Sequence, residues 1–438
     1  MTDAAVRLWG TTIGAVSWID DTQLGVFQYE PDFVPSGIEV APFTMPLTES
    51  PFSFPGLPRE TFKGLPGMLA DSLPDKFGNS LIDAWLAQQG RAPSSFDPVE
   101  RLCYIGTRGM GALEFEPTMG TSRTRTTILH IAKLVELANR VLDDRAGLTG
   151  TLGGDGDDQA VLEDILRVGT SAGGARAKAV LAFNPRTGEF RSGQVAVDSG
   201  FEPWLLKFDG VSGNADKELA DPLGFGRIEY AYSIMAGAAG IVMMPCRLHL
   251  EGGRSHFMTR RFDRTATGDK LHMQSLTAMM HYDFNAAGSY SYEQAVHVLR
   301  RLEASPQDLE QQVRRAIFNV VARNQDDHPK NIAYLMDRSG QWTVSPAFDV
   351  SYSYNPRGQW TDRHQMSLNG KRDSFEREDL IAFAASAGFK PRRADTLIDE
   401  IVDAVSHWPD YADQAGVDEQ SASRIAKTLR HQEMTAGR

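Results

Sequence analysis

Cys103 and Cys246 are the only cysteines in 438 residues. They stand far apart without a metal-type spacing, which excludes a disulfide framework and a zinc site and fits a reducing cytoplasm. Long apolar runs are also lacking: Ala231 to Met244 spans about 14 residues rich in Ala and Gly, short of the roughly 20 that cross a bilayer. That run reads as a buried helix. The opening MTDAAVRLWG has no basic stretch leading into an apolar one, so no secretory signal is indicated. Positive charge is scarce too. A net charge of -12 suits neither an anionic membrane nor unaided binding to a nucleic acid backbone, which rests on Lys and Arg meeting phosphates. DNA contact would need a partner.

What remains, 41% hydrophobic and 23% charged residues, is the balance of a globular chain with room for two or three subdomains. The first 30 residues alternate as strands do, with Val6, Leu8, Val16, Trp18, Phe27 and Tyr29 on the inward face and a turn at Asp20-Asp21. Six prolines between Pro42 and Pro66 predict an irregular loop that packs on its aromatics and covers a surface rather than forming a core. Helices are predicted over Lys76 to Gln89 and Leu129 to Leu142 by apolar residues at spacings of three and four. The polar, glycine-rich stretch from Asp143 to Gln159 is the best boundary or mobile connection. Its GDGDD lacks the register of a calcium loop. Further on, QVAVDS, PWLLKF and RSHFMTRRFDR read as strands and Arg227 to Ala239 as a helix. Beyond Leu271 the pattern is mainly helical, with Leu309, Val313, Ile317 and Val321 on one face and Leu397, Ile401, Val405 and Trp408 on another.

The most informative segment is NQDDHPKN, Asn324 to Asn331, a loop because its proline forbids continuation of the preceding helix. Asp349 follows in SPAFDVS, beyond a hairpin whose turn is DRSG and whose second strand is QWTV. An acid, an asparagine five positions on, and a second acid past a hairpin are what phosphoryl transfer from ATP requires: the first accepts a hydroxyl proton and the others hold magnesium against the phosphates. Spacing selects Asp326 over Asp327, because Asp326 to Asn331 reproduces the Asp-x-x-x-x-Asn interval of kinase catalytic loops. Alone, these residues also suit turn capping.

Two further elements precede it. GTSAGGARAKA, Gly169 to Ala179, offers unhindered backbone N–H groups across Ser171, Ala172, Gly173, Gly174 and Ala175, with Arg176 and Lys178 adding charge, an anion cradle or a bland hairpin. Lys207 lies inside the apolar WLLKF, where a charge needs a partner or a route to solvent. Glu229 on the following helix could supply the ion pair that positions a kinase lysine on nucleotide phosphates. The order of these elements along the chain, from glycine-rich loop to final aspartate, is that of a bilobal kinase.

GTSAGGARAK, WLLKF, MTRRFDR, NQDDHPKN and SPAFDV together resemble the HipA family of toxin kinases. LADSLPDKFGNSLIDAWL and RLCYIGTRGMGALEFEP resemble that family's N-terminal domain, so the likeness covers most of the chain. It implies an α+β, bilobal protein-kinase-like fold: a β-rich N-terminal subdomain over 1–125, a small ATP-binding lobe over 126–270 and a large all-helical C-terminal lobe over 271–438. It implies Asp326 as base with His328 and Lys330 beside it in the catalytic loop, Asn331 and Asp349 as Mg2+ ligands, and Lys207 on the phosphates of ATP. Phe262 falls in the segment between lobes where adenine is held, and the nearby Arg260 departs from an acidic residue of the best-known member. The resemblance also implies autophosphorylation of Ser171 in the glycine-rich loop, with Thr170 its competitor.

The partner implied is a HipB-like helix-turn-helix antitoxin, with operator DNA reached only through that complex. The acceptor implied is a protein serine, by analogy in an aminoacyl-tRNA synthetase, whose modification stalls translation and arrests growth. Two other functions fit the same residues. One is phosphoryl transfer to a small molecule or lipid; the other is a non-catalytic, antitoxin-binding co-repressor.

Overall fold

The computed structural model describes residues 2–119, 128–143, 164–166, 168–169, 176–193, 200–211, 223–265 and 267–435. Strands β1 (Thr2–Leu8), β2 (Thr11–Ile19), β3 (Leu24–Tyr29) and β4 (Leu113–Glu116) form an antiparallel sheet in the order β3-β2-β1-β4. Val6, Leu8, Val16, Trp18, Phe27 and Tyr29 are all buried, as period-two alternation requires of a sheet with one face on a core. The proline-rich stretch holds no helix longer than four residues, and its Phe52 bridges to Phe27 at the sheet edge. It does more than cover a surface: Met45, Phe62 and Leu65 enter the main core. Prolines there block regular hydrogen bonding but leave neighbouring side chains free to bury.

Strands β5 (Lys178–Phe183), β6 (Phe190–Ser192), β7 (Glu202–Lys207), β8 (Cys246–Glu251) and β9 (Arg254–Arg260) make a second antiparallel sheet, ordered β6-β5-β7-β9-β8. Its core takes Leu181, Phe183, Trp204 and Leu206 from strands. Phe77 and Leu81 join them from the Lys76–Gln88 helix, and Leu134 and Ala138 from the Ile131–Asp143 helix. An element from the first hundred residues therefore builds the second core. The QVAVDS and GDGDD segments lie outside the described residues.

The Phe225–Ala238 helix packs on this sheet. The apolar run to which it belongs is only half helical. Gly240 takes a left-handed φ of 74° and Val242 is exposed, so the chain leaves the helix before Met244. β9 likewise stops at Arg260, short of the strand predicted through RSHFMTRRFDR. Just beyond it lies Asp263, whose fully buried carboxylate accepts from Arg261 Nε (2.9 Å) and Nη2 (2.7 Å), Arg264 Nη1 (2.8 Å) and the Gly111 amide (2.7 Å). Burial would raise this carboxyl, but the two guanidiniums outweigh it and hold it well below the usual carboxylate range.

The C-terminal lobe is not all-helical as expected: β10 (His272–Ser275) pairs with the hairpin of β11 (Ala333–Met336) and β12 (Trp342–Val344), and residues 345–376 form neither helix nor strand. The turn is the DRSG predicted: Asp337 accepts from the Ser339 amide (2.8 Å), and Gly340 takes φ 84°. The Pro306–Val321 helix begins with Pro306 in its first turn and a Ser305/Asp308 capping box, buries Val313, Ile317 and Val321, and packs on the Tyr292–Arg301 and Pro391–Ser406 helices. It ends where the candidate catalytic loop begins.

Asp263→Ala would leave two guanidiniums without their shared anion. Chemical denaturation should register a loss of about 3–5 kcal/mol. Because the folded carboxyl titrates below its unfolded value, the stability it contributes is present at neutral pH and is lost as pH falls below the ordinary carboxylate range. A variant as stable as the parent at pH 7 would refute the role.

Candidate active site

The loop after the Pro306–Val321 helix is sewn down by its own polar residues. Arg323 turns the chain with a left-handed φ of 56° and donates to the Thr428 carbonyl (2.9 Å). Asn324 reaches back to Asn319 (2.9 Å), and Ser353 Oγ accepts from the amides of Gln325 (3.0 Å) and Asp326 (3.1 Å). Pro329 then starts a single 3-10 turn that brings Asn331 round, so that its side-chain nitrogen donates to the Asp326 carbonyl at 2.8 Å. The five-residue interval thus closes on itself, with Asn331 bonded to the residue that opens it.

The adjacent acids have separate environments. Asp327 is buried and accepts from Tyr292 Oη, the Gln365 amide and His364 Nδ1, each at 2.7 Å. Burial opposes its charge, but His364 and these donors hold the carboxyl below its ordinary range. Asp326 has a side chain 44% exposed, with Trp360 Nε1 donating to Oδ1 at 3.0 Å and His328 Nε2 3.7 Å away. Of the two carboxylates, Asp326 is the more exposed.

Across the cleft, Lys207 ends β7 beside Glu229 of the Phe225–Ala238 helix and Asp349. Its amine forms ion pairs with both carboxylates. Burial would drive the amine down, yet Asp349 and Glu229 raise it above the ordinary lysine value; burial would raise the Asp349 carboxyl, and Lys207 with Lys178 holds it well below. Asp349 sits at a left-handed φ of 52°, a conformation that Asp tolerates better than most residues. Arg176 lies over the Phe225 ring and reaches Glu229 (3.3 Å). Lys178 stands opposite Lys207 in the β5–β7 register.

Asn331, Asp349 and His328 line one cavity with Phe348 and Ile241. His328 Nδ1 is buried there without a hydrogen bond among the described residues. Phe262 packs against Phe348 with ring centroids 5.3 Å apart, next to the aspartate-bearing segment. Two predicted residues face elsewhere. Lys330 turns toward Asp71 (3.9 Å) and the Phe284 ring, and Arg260 lies 4.0 Å from Glu202 on the neighbouring strand. Ser171, Ala172, Gly173, Gly174 and Ala175, with Thr170, lie outside the described residues. Among the described residues no cluster of three His, Cys, Asp or Glu side chains forms a metal site. No described helix is long and apolar enough to cross a membrane.

Sequence reasoning missed the Lys207–Asp349 contact, the Asp327 network, and Trp360 and Ser353 around Asp326. It also missed Asp75, whose Oδ2 lies 3.4 Å from Lys178 Nζ. The one advance signal for Asp75 was local: an aspartate directly before a helix.

A sheet lysine paired with a helix glutamate, facing an Asp-x-x-x-x-Asn loop and a later aspartate, defines a bilobal protein of kinase-like fold. Family models agree: the HipA N-terminal domain matches residues 4–116 and the HipA-like C-terminal domain residues 170–432. The chain belongs to the HipA family. Among solved structures it is similar to Shewanella oneidensis HipA, determined with HipB and its operator DNA: 18% identity over 99% of this chain and 96% of that one, with a TM-score of 0.67. A curated relative, Y4mE of Sinorhizobium fredii, described as a candidate kinase, is 27% identical over 188 residues, which are 39% of this chain and 44% of that protein's length.

Thermal melting separates the two adjacent acids. Asp327→Ala strands three donors in the core and should cost about 3 kcal/mol, whereas Asp326→Ala, at an exposed position, should melt within about 0.5 kcal/mol of the parent. Equal losses would contradict the assignment of Asp327 to structure.

Proposed function

We propose that this protein is an ATP-dependent serine/threonine protein kinase of the toxin–antitoxin type. The observation that carries the reading is Lys207, buried and shared between Glu229 and Asp349, the latter lining one cavity with Asn331. One ammonium shared by two carboxylates offers a position beside a buried cation that a phosphate oxygen of a polyanion can take in place of Asp349.

In this reading Lys207 binds phosphate oxygens of ATP, Glu229 keeps it aimed, and Arg176 and Lys178 add charge beside it. Asp349 and Asn331 fit a hard divalent cation: both offer oxygen to the same cavity, and the Asn331 nitrogen is already engaged with the Asp326 carbonyl, which leaves Oδ1 for the ion. Mg2+ bound there would neutralise charge on the transferring phosphoryl group. Asp326 accepts the proton of the acceptor hydroxyl; Trp360 engages Oδ1, so Oδ2 is the oxygen left for the proton. His328 sits next to Asp349 and Asp326, where its ring can hold the loop in register. Lys330 balances Asp71 at the edge of the loop. The backbone from Arg260 to Phe262 would hold adenine, with the Phe262 ring packed on Phe348.

The acceptor class rests on analogy within the family: a protein serine, in an aminoacyl-tRNA synthetase for its best-known members. A HipB-like helix-turn-helix antitoxin is the proposed partner, supported by the Shewanella assembly and by a net charge of -12 that disfavours direct DNA binding. Autophosphorylation at Ser171 would carry nearly two negative charges into the region of the ATP phosphates and switch the enzyme off.

Transfer from labelled ATP in the presence of Mg2+ tests the reading. Asp326→Ala should cut the rate by roughly a hundredfold or more; equal rates would favour the non-catalytic regulator, and label appearing in small products instead of protein would favour the small-molecule kinase. In the same assay Ser171→Ala should abolish phosphate on the glycine-rich loop, and undiminished labelling there would reject that site in favour of Thr170.

A further inference from the structure

Lys178 and Lys207 are direct cross-strand partners on β5 and β7, so their side chains leave the sheet on the same face. Like charges so placed repel, and both residues are buried. Lys207 is balanced by Glu229 and Asp349. Facing Lys178 is a carboxylate from a distant part of the chain, Asp75, with the two side chains 2% and 4% exposed and 3.4 Å between Nζ and Oδ2.

Asp75 has two tasks, one per oxygen. Oδ1 caps the Lys76–Gln88 helix by accepting from the Gly78 amide at 2.7 Å. Oδ2 is buried and faces Lys178 Nζ at 3.4 Å, an ion contact at the outer edge of hydrogen-bond reach. Asn or Ser would cap equally well. A buried ionised carboxylate carries a desolvation cost that those residues avoid: burial pushes the Asp75 carboxyl up to about 6 and the Lys178 amine down. The charge therefore serves something beyond the cap.

The position of Asp75 is itself secured from the helical lobe. Four residues earlier Asp71 accepts from the amide (2.7 Å) and hydroxyl (2.8 Å) of Ser275, at the end of β10, and lies 3.9 Å from Lys330 of the catalytic loop. The short segment DSLPD thus runs from the catalytic-loop side of the cleft to the sheet side, ending on Lys178.

We propose that Asp75 is a positioning residue of the nucleotide site: a counter-ion from the N-terminal region that keeps Lys178 charged and directed, beside Lys207, at the phosphates. The inference rests on the nucleotide reading above and extends it, since it makes the N-terminal region a part of the phosphate site. Substituting Asp75 acts through Lys178 and not through the helix it caps.

A double-mutant cycle on the full-length protein tests this, reading the Kd for Mg-ATP together with the melting temperature of each variant. Asp75→Asn keeps the cap and removes the charge. It leaves the buried Lys178 amine without its counter-ion and should melt below the parent, and it should bind Mg-ATP on the order of tenfold more weakly. Lys178→Met should weaken binding at least as much, and Asp75→Asn/Lys178→Met no further than Lys178→Met alone. Asp75→Ser, which also caps, should reproduce Asp75→Asn and stands in if that variant does not fold. Unchanged binding in the charge-free variant, or losses at the two positions that multiply, would overturn the positioning role while leaving the nucleotide site intact. Absence of Mg-ATP binding in the parent protein would overturn both.

Discussion

The Lys207 amine holds the site together because three distant segments converge on it: strand β7, the helix that carries Glu229, and the turn that carries Asp349. An isolated ammonium ion in that interior would give up its proton; here two carboxylates more than repay the lost hydration, and the amine stays charged. The same contact draws Asp349 to the sheet, on the cavity that Asn331 and His328 also line. A charge buried at a lobe boundary acts as a fastener whose strength depends on every partner being present.

Around that centre the N-terminal region works as a brace. The Lys76–Gln88 helix is part of the core under the second sheet, Asp71 holds Ser275, and Trp9 and Glu114 hold Lys270 through its carbonyl (2.8 Å) and amine (2.7 Å). Asp263 adds Gly111 to the segment that follows β9. These contacts tie the four-stranded sheet and its helices to both sides of the cleft.

Much of this was legible in the sequence where the cause is local. Period-two alternation marks β1 to β3, and the spacing of Leu309, Val313, Ile317 and Val321 marks the helix that leads into the candidate catalytic loop. The Asp326–Asn331 interval is itself a turn, so its spacing carries its geometry. The Lys207–Glu229 pair was also within reach, because only 22 residues separate a charge on an apolar strand from an acid on the next helix. What escaped depends on chain reversal over long distances. Nothing near Asp327 announces that Tyr292, His364 and Gln365, 35, 37 and 38 residues away, will bury it. Lys207 meets Asp349 across 142 residues, and Asp75 meets Lys178 only because two sequence regions share one core. The early end of β9 escaped for a related reason: the strand gives way near a buried carboxylate whose partners include the distant Gly111 amide.

In the proposed kinase, Lys207 exchanges one carboxylate partner for a nucleotide. A crystal structure with Mg2+ and a non-hydrolysable ATP analogue measures that directly. The prediction is that phosphate oxygens lie within hydrogen-bond reach of Lys207, which retains Glu229, while Asp349 leaves the amine and joins Asn331 on the ion. A nucleotide bound elsewhere, or a Lys207–Asp349 pair left unbroken with the site saturated, would contradict it.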